Sequence, residues 1–109
     1  MDVTLILKFT DAIQKRQLVR LKFFTGEYQP AVRKCVPLDI APSRRSKNKI
    51  YKFHLWDLDS DPKPHILSLD PNQILQMEIL EEYFDPEDIV TWDTKASPWS
   101  IKRDWDNRS

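Results

Sequence analysis

The chain has 109 residues, 40% of them hydrophobic and 31% charged, which is enough apolar material for one modest core and too little for two. Its 17 basic and 17 acidic side chains cancel, but unevenly: residues 1–54 carry 12 Lys/Arg against 4 Asp/Glu, and residues 55–109 carry 5 against 13. A single cysteine excludes an internal disulfide framework and a thiolate zinc site, and a single glycine excludes the Gly-rich loops that cradle phosphates in P-loop and Rossmann enzymes.

The longest apolar run, Leu5-Ile6-Leu7, falls far short of the roughly 20 residues that span a bilayer, and no signal-peptide pattern opens the chain. The expectation is a soluble, cytoplasmic protein without cofactor or metal. Over residues 5–16, Leu5, Phe9, Ala12 and Ile13 recur at spacings of three and four between charged residues, the period of an amphipathic helix. A strand through Val3, Leu5 and Leu7 is the competing reading. From Leu18 the period falls to two, with Val19, Leu21 and Phe23 alternating with Arg20 and Lys22, which predicts a half-buried strand ending at the Thr25-Gly26-Glu27 turn.

A second strand is predicted from Ala31 to Ile40, with Pro30, Pro37 and Pro42 suiting strand ends, edges or bulges rather than a central strand. The polar, basic stretch Ser43 to Lys49 reads as a loop, Ile50 to Asp57 as a third strand, and Asp57 to Pro64 as an acidic turn. A fourth strand, His65 to Leu69, leads into Asp70-Pro71-Asn72-Gln73, where Asp at an N-cap and Pro at the first helical position predict one helical turn. Ile74 to Glu81 reads as a fifth strand, and the same cap chemistry recurs at Asp85-Pro86-Glu87-Asp88. Residues 91–109 are polar apart from Trp92, Trp99, Ile101 and Trp105. They read as a tail, disordered or docked on the barrel, a partner or an oligomer interface. The outline is mainly β: a small five-stranded Sm/SH3-like barrel over residues 1–90, with an N-terminal helix and a short C-terminal extension.

Four segments resemble the WYL domain, a bacterial ligand-sensing and regulatory module usually attached to a helix-turn-helix transcription factor. They are Ala12-Ile13 with Arg16, Val19, Leu21 and Phe23; Arg33-Lys34-Cys35-Val36-Pro37-Leu38-Asp39-Ile40; Tyr51-Lys52-Phe53 with Trp56-Asp57; and His65-Ile66-Leu67-Ser68-Leu69-Asp70 with Gln73-Ile74. The resemblance implies a ligand groove at Phe23, Arg33, Tyr51, His65 and Gln73. Phe23, His65 and Gln73 stand where the family carries a tyrosine and two arginines that suit an anionic ligand. It also implies a non-enzymatic role in transcription regulation, acting on a nucleotide ligand or on a helix-turn-helix partner, here without the usual helix-turn-helix segment.

The residues themselves offer a second function. Arg44, Arg45, Lys47 and Lys49 place four cations in six residues beside Tyr51, Phe53 and Trp56, a pattern that can track a phosphate backbone and stack bases. That predicts a single-stranded nucleic-acid-binding accessory, of the kind some family members supply beside CRISPR systems. The acidic residues Glu78, Glu81, Glu82, Asp85, Glu87 and Asp88 read as a solvated face, and Cys35 as a small buried side chain. His54, His65 and Cys35 lack an orienting third group, so no catalytic residue is assigned. The opposed charge blocks and the modest core favour a homodimer.

Overall fold

The computed structural model describes residues 3–26, 29–42, 51–59 and 63–109. Helix α1 (Val3–Lys15) is followed by strands β1 (Gln17–Phe23), β2 (Ala31–Pro42), β3 (Tyr51–Asp57), β4 (His65–Leu69) and β5 (Ile74–Tyr83), and by a one-turn helix α2 (Pro86–Ile89). Short 3₁₀ turns lie at Pro71–Gln73 and Asp106–Arg108.

Of the two readings of the first segment, the structure takes the helix. Phe9, Ala12 and Ile13 fall on one face and are completely buried, as their spacing requires. The helix ends at Arg16, whose φ of 58° is left-handed and costs a non-glycine residue about 1–2 kcal/mol. Hydrogen bonds from its backbone and side chain hold it there. Its N–H donates to Ile13 O at 3.3 Å, its carbonyl accepts from the Phe84 N–H at 2.9 Å, and its guanidinium donates to Asp104 O at 2.9 Å. Gly26, with φ of 88°, supplies the turn after β1 at no such cost.

All five strands join one antiparallel sheet in the order β4-β3-β2-β1-β5, so the last strand returns to pair with the first. Val19, Leu21 and Phe23 face inward and Arg20 and Lys22 outward, the alternation expected of β1. β2 is an inner strand, paired on both sides, although it carries Pro37 in its middle. The proline is tolerated because the ladder to β3 shifts register between Pro37 and Asp39. Its residues Cys35 to Ile40 are buried without interruption, so β2 is covered on both faces rather than one.

The core joins helix to sheet, with the Phe9 and Phe53 rings packed edge to face at 5.0 Å. Both predicted Asp-Pro caps form. Asp70 accepts from the Asn72 N–H and Asp85 from the Glu87 N–H, each at 3.0 Å. Residues beyond 90 belong to the same core: Trp105 is 1% exposed, and Trp92, Trp99 and Ile101 pack partly buried against it. Among the described residues, no helix is long and apolar enough to cross a membrane.

Candidate functional site

The five positions of the implied groove fall into three places. Phe23 is a core residue, 4% exposed, opposite Ala31 on one side and Ile74 on the other. Gln73 lies beside it but is occupied by the β4–β5 turn. Its Oε1 accepts from the Asp70 N–H at 2.9 Å, which with the Asp70 side chain accepting from the Gln73 backbone makes a reciprocal capping box, and its Nε2 donates to Phe24 O at 3.1 Å.

Arg33 and His65 flank Asp57 at the same end of the sheet. His65 is exposed and sits opposite Asp57 in the β3–β4 register. The Arg33 Nη1 donates to Asp59 O at 3.0 Å, and its Nε lies 3.9 Å from the nearly inaccessible Asp57 carboxylate. That carboxylate accepts from the Asp59 N–H at 3.0 Å, and the Asp59 carboxylate accepts from the Lys34 N–H at 2.7 Å. Arg33 and Lys34 thus tie the acidic turn to β2. Replacing Arg33 by alanine should therefore lower stability by about 1–2 kcal/mol, read as a fall in the urea midpoint with unchanged slope. Tyr51, 53% exposed, stands opposite Pro42 at the far end of β3. Tyr51 lies six residue steps along β3 from Asp57, about 20 Å, beyond the reach of one small ligand in contact with His65.

The basic segment Arg44, Arg45, Lys47 and Lys49 lies outside the described residues. Of the acidic run, Glu78 and Glu82 are half-exposed partners of Arg20 at 3.2 Å and Lys34 at 2.9 Å on the outer sheet face. Among the described residues no group of three His, Cys, Asp or Glu could hold a metal ion. The Cys35 thiol is fully buried opposite Asp57. Burial above all, then the Asp57 and Asp59 charges, push its pKa far above the ordinary thiol value, against a smaller opposing effect of Arg33. It is a poor nucleophile in that setting. His54 bridges β2 to β4: one ring nitrogen lies 2.9 Å from Ala41 O and the other 2.8 Å from Ser68 Oγ.

The most elaborate polar cluster involves residues the sequence did not single out. Asp39, 6% exposed, accepts from the Ser100 and Ile101 N–H groups at 2.8 and 2.9 Å and from the Arg103 guanidinium at 3.3 Å. Arg103 has no accessible side-chain surface and donates also to Leu38 O and to Ile101 O. Its guanidinium carbon stands 4.0 Å from the centre of the Trp99 ring and 4.5 Å from that of Trp105. Burial lowers the Arg103 pKa to about 10 against the raising effect of Asp39, which leaves it charged at neutral pH. Two signals in the sequence could have pointed here. Asp39 is the one charged residue in the apolar stretch Val36 to Ile40, and Arg103 is one of two adjacent cations, with Lys102, between Trp99 and Trp105.

A cavity of about 400 Å³ opens beside this cluster, among Arg16, Phe84, Asp85, Glu87 and Asp106. None of the five groove positions lines it. The geometry thus defines a mainly β chain, one antiparallel sheet with an N-terminal helix, whose buried charges serve the fold. No family model, no curated protein and no solved structure matches the chain.

Proposed function

We propose that the chain is a non-enzymatic, WYL-like regulatory module of the Sm/SH3-like barrel kind, cytoplasmic and bacterial, which takes part in transcription regulation by binding a partner protein. The observation that carries this reading is the strand order β4-β3-β2-β1-β5 behind an N-terminal helix, with β5 returning to β1. The unbroken burial of Cys35 to Ile40 on both faces of β2 adds to it, because it suits a strongly curved sheet.

A partner fits better than a small ligand. Phe23, Arg33 and Gln73 are engaged by the core and the two turns, and Tyr51 is remote from His65, so these positions leave little to grip an anion. Native capture of the tagged chain from its own cells should bring down a DNA-binding regulator, in near-stoichiometric amount and resistant to nuclease. Recovery of the chain alone would overturn the reading. Recovery of nucleic acid that nuclease removes, with a salt-sensitive mobility shift lost when Arg44, Arg45, Lys47 and Lys49 become alanine, would replace it with the nucleic-acid-binding accessory.

A further inference from the structure

Ser68 on β4 and His54 on β3 face each other across the sheet, and the pair has the layout of a nucleophile with its base. The buried Phe53, Leu55 and Leu69 point into the core, which turns Lys52, His54 and Trp56 of β3 and Ser68 and Ile66 of β4 to the outer face. His54 Nε2 lies 2.9 Å from Ala41 O, and its Nδ1 lies 2.8 Å from Ser68 Oγ. A carbonyl oxygen only accepts, so Nε2 carries the proton. In the neutral ring Nδ1 is then a bare acceptor, and the Ser68 hydroxyl donates to it. The serine is thus hydrogen-bonded to a base, and the base is oriented by a third group. That third group, Ala41 O, comes from β2, and no spacing in the sequence pointed to it.

The surroundings of Ser68 favour one kind of reactant. Ser68 is exposed and His54 half-buried, so the hydroxyl is open to a reactant while its base is held in place. The next pair along the same face is Trp56 with Ile66, the first packed partly against the core and the second 47% exposed. Together they offer an apolar floor to a short aliphatic chain. On the other side of His54, Lys52 stands opposite Ala41 on the same face. Its positive charge suits the negative charge that develops on an attacked carbonyl oxygen.

We propose that Ser68 is an acyl-acceptor site, modified by activated carboxylic esters that carry a short apolar acyl group, with His54 as its base. Ser68 Oγ attacks the carbonyl carbon and forms the new ester bond, and the bond from that carbon to the leaving oxygen breaks. The hydroxyl proton passes to His54 Nδ1 and on to the departing oxygen. The serine ester is the end product, so the site is one of modification and not of turnover. The step needs no partner protein and stands apart from the regulatory reading. The full chain treated with p-nitrophenyl hexanoate should be acylated on Ser68, located by peptide mass spectrometry, about a hundredfold faster than on the exposed Ser100. His54→Gln should slow that acylation by about the same factor, and Ser68→Ala should remove it, with cooperative thermal melts in both. Measured against the attack of free imidazole on the same esters, the hexanoate should transfer faster than the acetate. Acylation of Ser68 no faster than that of Ser100 would overturn the proposal, as would a rate unchanged in His54→Gln. Equal relative rates for the two esters would overturn the apolar acyl class. If His54→Gln melts at a lower temperature, the comparison of Ser68 with Ser100 in the wild-type chain decides.

Discussion

Replacement of Arg103 by leucine is expected to destabilise the fold by about 3–5 kcal/mol, seen as a fall in melting temperature of roughly 12 °C or more for a domain of this size. The size of the effect comes from what is left behind. Without the guanidinium, Asp39 keeps its charge in a site 6% exposed, with only the Ser100 and Ile101 N–H groups to hold it, and Leu38 O loses its donor. The facing Trp99 and Trp105 rings lose the cation they enclose, a contact of about 0.5–2 kcal/mol in desolvated settings. If the unpaired carboxylate dominates, Asp39→Asn should rescue part of the loss. The amide oxygen still accepts one N–H, and no net charge remains buried. The double variant Asp39→Asn/Arg103→Leu should therefore melt above Arg103→Leu alone. Melting below it would mean that the Ser100 and Ile101 hydrogen bonds, rather than the charge, carry the cluster.

That cluster marks where local sequence signals stop. α1, the strands and the two Asp-Pro caps follow from signals a few residues long: a period of 3.6 through Phe9, Ala12 and Ile13, a period of two through Val19, Leu21 and Phe23, and an aspartate before a proline. The inner position of β2 is less local. Pro37 argues for an edge or a bulge, and only pairing with both β1 and β3 selects the bulge. The Asp39–Arg103 pair spans 64 positions and no spacing rule connects them. Trp99 and Trp105 were visible as apolar residues in a polar stretch, but what they cover could be seen only once β2, β5 and the end of α1 were in place. The spread of the five implied groove positions over three places is equally non-local. The groove positions Arg33 and Gln73 each reach a turn that the folded sheet brings beside them, and their hydrogen bonds go to it.

Replacement of Trp105 by alanine should cost about 3–5 kcal/mol and should unfold the C-terminal segment and the sheet together. Trp105 is 1% exposed, its indole N–H donates to Ile13 O at 2.9 Å, and its ring meets Phe84 at 5.3 Å and Trp99 at 5.5 Å, both edge to face. It therefore joins the end of α1, the residue after β5 and the chain terminus. Trp105→Phe keeps most of the ring contact but removes the indole donor, so it should cost only about 1–2 kcal/mol. Part of that loss is limited because Ile13 O also accepts from the Arg16 N–H. Urea unfolding followed by far-ultraviolet circular dichroism, paired with limited proteolysis across residues 91–98, separates two modes of loss. One shared transition, with cleavage appearing only as the sheet unfolds, is the expected result and makes residues 91–109 part of the single folding unit. Cleavage that comes first, with the sheet's midpoint unchanged, would make them an appendage. The α1 contacts of Trp105 would then contribute nothing to the stability of the sheet. The two outcomes differ because Ile13 lies in the last turn of the helix that covers the core and Arg16 directly follows that helix, so releasing Trp105 also releases two of the restraints that end α1.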